Sequence, residues 1–221
     1  MKRFFSSSIK ADANRMFDIV QAHDTVAAVL STPIAVDDGM SSLIDYCAEH
    51  EPWQGWDVLR KLEFESDQLN LKRWLEDLLT QEPPPDDVNA FWFGLFNPVI
   101  KGKSTCGLYA AGTITFDGND EDFEWACNPA WFPDGRYAKS KILNDIYQRV
   151  NKAKDSVSSY QYVLCLGYAG LVLNQLATTL PLSTWLGKES SRALAIGFDS
   201  GAGILLGSFT KQGWNRVSRN A

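Results

Sequence analysis

From residue 12 to residue 30 apolar side chains recur at intervals of three and four, with Met16, Ile19, Val20, His23, Val26, Ala27 and Leu30 on one stripe. That spacing predicts an amphipathic helix, closed by Thr32-Pro33. A second helix is expected from Ser41 or Ser42, either of which suits an N-cap, to Glu51-Pro52, with a further turn or two across Trp53 to Leu62. Ser66 then caps a longer helix whose inner face carries Leu71, Trp74, Leu75, Leu78 and Leu79. The run Glu82-Pro83-Pro84-Pro85-Asp86-Asp87 stops it, because successive prolines bring no amide donor and clash with helical geometry. This boundary divides a mainly helical region, residues 1–82, from a sheet-bearing region, residues 88–221. It is also short enough to be a stiff connector inside one compact unit.

Beyond the prolines the apolar period shortens toward two. Ala90 to Phe96 suits a strand, as does Gly107 to Phe116, where Ile114 and Phe116 alternate with Thr113 and Thr115. Asp117-Gly118-Asn119-Asp120 is a hairpin signal, with Asp122 to Cys127 as the returning strand. Tyr137 to Ala153 predicts a helix on Ile142, Leu143, Ile146, Tyr147 and Val150. Tyr160 to Leu166 reads as a buried strand and Tyr168 to Thr179 as a buried helix. Ala193 to Phe198 and Ile204 to Phe209 flank a second glycine-rich turn. The sum is an α+β fold: a helical N-terminal third, then a mainly antiparallel sheet covered by two helices.

Composition narrows the function classes. The 221 residues are 45% hydrophobic and 22% charged, which excludes collagen-like, disordered and disulfide-framework proteins. With 21 Lys and Arg against 27 Asp and Glu, the net charge is −6, a sign that repels nucleic acid and anionic membranes. The charge is segregated: residues 37–67 hold nine carboxylates against Arg60 and Lys61, whereas residues 134–154 hold six basic residues and two acidic ones. The uncharged run 156–187 raises the question of a membrane span. Its continuous apolar part, Tyr162 to Leu173, is short of the about 20 residues a span needs. Met1-Lys2-Arg3 is not followed by the apolar stretch of a signal peptide, so a cytoplasmic location is expected.

Several motif fragments imitate chemistry without completing it. Gly102-Lys103-Ser104-Thr105 ends like a phosphate-binding loop, but Asn97 stands where the first glycine belongs and a strand, not a helix, follows. Gly201-Ala202-Gly203 leaves too little chain after Gly207 for a dinucleotide fold. Asp117 to Asn128 lacks the Gly and Glu of a calcium loop. Cys47, Cys106, Cys127 and Cys165 form no metal-ligand spacing, and Cys47 with His50 supplies only two ligands of the four a zinc site wants. No cofactor or metal is expected.

What remains is an acidic chain with eight tryptophans. Trp53 and Trp56 lie three apart among carboxylates, an arrangement that suits a protein-binding hot spot. The expected partner surface is Trp53, Trp56, Glu49, Glu51 and Asp57, together with Asp120, Glu121 and Asp122. The expected function is a non-enzymatic module of the bacterial cytosol that binds a basic protein, as an immunity protein binds a cationic toxin. The alternative is a small-molecule binder or enzyme built on a carboxylate or cysteine, with Cys47 and His50, or a groove at Trp131, Tyr137 and Asp134, as its first candidates.

Overall fold

The computed structural model describes residues 17–186, 191–199 and 202–218. The described residues begin with four helices: α1 (Ile19–Ser31), α2 (Val36–His50), the short α3 (Trp56–Leu59) and α4 (Phe64–Gln81). Strand β1 (Ala90–Phe96) follows, then a small hairpin of β2 (Val99–Ile100) and β3 (Lys103–Ser104), and β4 (Gly107–Thr113). After a 3₁₀ turn at Glu124–Cys127 come β5 (Tyr137–Ala138), α5 (Lys141–Val150), α6 (Asp155–Ser158), α7 (Gln161–Thr179) and α8 (Leu182–Leu186). Then come β6 (Ser191–Phe198), β7 (Gly203–Thr210) and β8 (Gly213–Arg216). Six strands join one sheet in the order β5-β4-β1-β6-β7-β8. Among the described residues only β1 and β6 pair in parallel. The architecture is α+β.

Side-chain alternation sorts the strands into two faces. Phe91, Phe93 and Leu95 of β1, Leu108 and Ala110 of β4, and Leu194 and Ile196 of β6 join the main core beneath the helices. Between Leu194 and Ala195 the register with β7 shifts, so Leu206 has no opposite residue. This bulge keeps Ile204, Leu206 and Phe209 all on the helix side. Trp92, Ala90, Ala193 and Ala195 turn to the other face and form a smaller cluster with Trp125.

Helix α7 is the centre of the helical layer and is buried almost all round. The expected break into a strand, Tyr160 to Leu166, and a separate helix is corrected: residues 161–179 are one helix. A helix buried on every side carries no polar stripe, so its apolar run cannot be told from a strand by period alone. Its glycines are explained by packing. A Cβ at Gly167 would run into Leu43 of α2, and one at Gly170 into Leu30 of α1. Together α6 and α7 are long and apolar enough to cross a membrane, yet 78% of the most apolar window is buried inside the fold.

Other boundaries shift for local reasons. Asp18 caps α1, its carboxylate accepting from Val20 and Gln21, while residues 12–16 of the expected helix lie outside the described residues. α2 starts at Val36, with Asp37 and Asp38 in the first turn where the helix dipole favours carboxylates. α5 starts only after Ser140, whose hydroxyl accepts from Leu143 N. Tyr137 and Ala138 pair with β4 instead. β4 ends at Thr113, and the expected return strand Asp122 to Cys127 is a loop closed by the 3₁₀ turn.

The proline connector is stitched to both regions. Buried Arg192 donates to the carbonyls of Pro85, Val88 and Trp185. The Glu82 carboxylate accepts from Asp134 N and Gly135 N, and its carbonyl accepts from the Trp131 indole. The first four helices share one core cluster with the sheet.

Candidate functional site

Among the described residues, the sheet face turned away from α7 is covered by a loop with one 3₁₀ turn and not by an α-helix. Residues 114–136 cross it as a loop, anchored where Gly112 N donates to Trp131 O and Asn89 Nδ2 to Ile114 O. Within the loop the Asp120 carboxylate accepts from Asp122 N and Trp125 N, and Asp117 Oδ1 from Asn119 N. These turns use Asp117 and Asp120 as local caps. Glu121, Asp122 and Glu124 are left exposed. Phe123 takes a left-handed backbone (φ 56°), which drops its ring onto Trp92 with centroids 5.7 Å apart.

Between loop and sheet lies a cavity of about 350 Å³. Trp92 and Phe96 of β1, Tyr109 of β4 and Tyr137 of β5 line it from the sheet, and Phe123 and Phe132 from the loop. Their presence on one face follows from register. Gly94 pairs with Tyr109 on one side and Gly197 on the other, and Tyr109 pairs with Tyr137. A Cβ at Gly94 would run into the Tyr109 ring, and one at Gly197 into the Trp92 ring. The two glycines therefore let the rings lie flat across the strands. Phe96 meets Tyr109 and Tyr137 at 5.9 and 5.4 Å, and Tyr109 meets Phe132 at 6.1 Å.

Two carboxylates reach this aromatic wall, Asp122 from the loop and Asp199 from the end of β6. The Tyr109 hydroxyl donates to Asp199 Oδ1 at 2.8 Å. Burial, then the Asp199 carboxylate, pushes that hydroxyl well above its ordinary pKa, with a hydrogen bond from Trp92 opposing them. At the rim, the Arg136 guanidinium lies 4.0 Å above Phe132 and 4.5 Å above Tyr137. Among the described residues none of Asp117, Asp120, Glu121, Asp122, Glu124 and Asp199 forms an ion pair. The arrangement has aromatic faces, unpaired negative charge and one rim cation, which is the chemistry of a receptor for cations.

Two further hollows lie elsewhere. One of about 740 Å³ runs between α1 and the 118–123 stretch and shares Phe123 as a wall. In it, half-buried His23 is hydrogen-bonded through Nδ1 to the Tyr162 hydroxyl. The other, about 640 Å³, lies beside the β2–β3 hairpin and is bordered by Lys139 and Lys141. The Gly102-Lys103-Ser104-Thr105 fragment that resembles the end of a phosphate loop starts in the turn of that hairpin, with left-handed backbone at Lys101 and Gly102, and runs on through β3.

The residues expected at the partner surface are divided between layers. Glu49, Glu51, Trp53, Trp56 and Asp57 sit around the α2–α3 junction on the helical side, whereas Asp120, Glu121 and Asp122 lie on the loop over the opposite sheet face. Trp56 offers little surface to a partner: it is 2% exposed, packs on Tyr160, and its indole donates to Glu51 O. Trp53 is half-buried and meets Trp56 edge-on at 4.8 Å. Asp57 is already paired with Arg60, which also bonds Asp45.

The alternative candidates are separated too. Cys47 is fully buried and burial pushes its thiol far up, so it is no thiolate near neutral pH. His50 spends Nδ1 on the Tyr46 carbonyl of its own helix. Trp131 packs against Phe91 in the main core, whereas Tyr137 lines the cavity on the other face. Asp134 is exposed, and its backbone shares Glu82 with the Trp131 indole. Among the described residues no group of three His, Cys, Asp or Glu could hold a metal ion.

The sequence reading missed Phe96, Tyr109, Phe132 and Asp199. The alternation Trp92, Gly94, Phe96 was the one available signal, because it puts two rings and a gap on one face of a strand. The chain matches no family model, and no curated protein or solved structure is significantly similar to it.

Proposed function

We propose that this chain is a non-enzymatic module of the bacterial cytosol that binds a basic protein, in the way an immunity protein neutralises a cationic toxin. The binding face in this reading is the sheet surface under the 114–136 loop. The observation that carries it is the pairing, on one face, of exposed carboxylates that lack ion pairs with a cavity walled by aromatic rings. Unpaired charge of one sign steers an oppositely charged partner, and rings in a partly dry pocket supply the contact area that charge alone does not. Glu49, Glu51 and Asp57 act in this reading as a secondary acidic field, since Arg60 already neutralises part of it. Four cysteines without a bridge suit a reducing compartment.

The test is capture of partners from the native cell by the tagged chain and by a Glu121→Lys/Asp122→Lys/Glu124→Lys variant, each washed at low and high salt. The expected result is one stoichiometric basic protein, held by the unmodified chain at low salt and lost both in high salt and from the variant. Equal retention by the variant, or no partner in either wash, contradicts the reading.

A further inference from the structure

We infer that the cavity beneath the loop is a receptor for a single arginine side chain of the partner. The inference rests on the reading above and names what the site takes.

Three features select a guanidinium. First, Trp92, Tyr109 and Phe123, rings of the kind whose faces attract cations, line a space of about 350 Å³, near the lower end of ligand-pocket sizes of roughly 300–1,000 Å³. That room suits one long side chain rather than a folded segment. Second, Asp199 is held in place by Tyr109 on Oδ1 alone, so Oδ2 has no partner among the described side chains. A planar fork of N–H donors can bond such a carboxylate while stacking on the rings beside it; a lysine ammonium supplies the charge but not the plane. Third, the rim already shows the geometry. Arg136 is stacked on both Phe132 and Tyr137 while its Nη1 donates to Pro133 O. With Asp122 and Asp199 against Arg136, the site still carries more negative than positive charge, so a second guanidinium is attracted.

The probe is blocked arginine, Nα-acetyl-arginine methylamide, titrated into the full chain and followed by the NMR signal of the Trp92 indole N–H. Blocked citrulline serves as the neutral isostere and blocked lysine as the non-planar cation. Saturable arginine binding is expected, about tenfold tighter than citrulline and weakened about tenfold by Asp199→Asn or, on the exposed loop, Asp122→Asn. The same two variants are expected to lose the captured partner. Equal binding of arginine and citrulline, shifts that map away from Trp92, or no binding overturns the arginine receptor. If the partner is still captured by both variants, the module reading stands and only the receptor falls. If no partner is captured by any form, the module reading itself falls, and the receptor with it.

Discussion

Gly94 is the residue on which the site's geometry turns. It has no side chain, and the Tyr109 ring occupies the space a Cβ would need. Tyr109 in turn fixes Asp199 through its hydroxyl. Gly94→Ala pushes the ring off the strand, at an expected cost of about 1–3 kcal/mol from crowding at a packed position. It should also abolish blocked-arginine binding, because ring and carboxylate move together. Denaturant unfolding and the same NMR titration read both effects. Unchanged stability with unchanged binding would show that Tyr109 does not depend on the gap. Trp56 teaches the opposite lesson at this scale. Its neighbours in sequence are carboxylates, but its ring is spent on Tyr160 and its N–H on Glu51 O, so sequence neighbourhood misreported its surroundings.

At the scale of elements, Asp67 ties three helices together. Its carboxylate, buried in α4, accepts from the Ser140 hydroxyl and Lys141 N at the start of α5 and from the Tyr168 hydroxyl of α7. Asp67→Ala leaves those donors without their acceptor in a dry place, and should cost about 2–4 kcal/mol by chemical denaturation. A loss under 1 kcal/mol, roughly one ordinary hydrogen bond, would mean that water replaces the carboxylate. The helices with a polar face, α1, α4 and α5, were legible as helices from their stripes. So were β1, β6 and β7, from apolar runs bounded by turns. The loop 114–136 was not legible. Its alternation at Thr113 to Phe116 and its Asp-Gly signal imitate a hairpin, but the sheet edge at β4 is taken by Tyr137 and Ala138. No local pattern encodes that competition. The site was hidden for the same reason: its rings come from β1, β4, β5 and a loop, and only long-range register brings them together.

For the whole molecule, one buried and two half-buried tyrosines set an alkaline limit. Burial raises Tyr109, Tyr162 and Tyr168 in the folded state, Tyr162 to about 12, and Asp67 adds to the rise at Tyr168. In the unfolded chain a tyrosine loses its proton near about 10. Between these values the unfolded state holds fewer protons than the folded one, so stability falls as pH rises. The contribution is fully present below about pH 10 and is expected to disappear progressively toward pH 12 and beyond. Unfolding midpoints that hold constant across that window would contradict the burial of these hydroxyls.

In the function proposed above, the loop-covered sheet face, and not the α2–α3 junction, meets the partner. A photo-crosslinking amino acid placed in turn at Glu121 and at Glu49, both exposed and acidic, tests it inside the native cell. An adduct with a basic protein is expected from position 121 and none from position 49. An adduct from position 49 alone would place the partner on the helical side and contradict it.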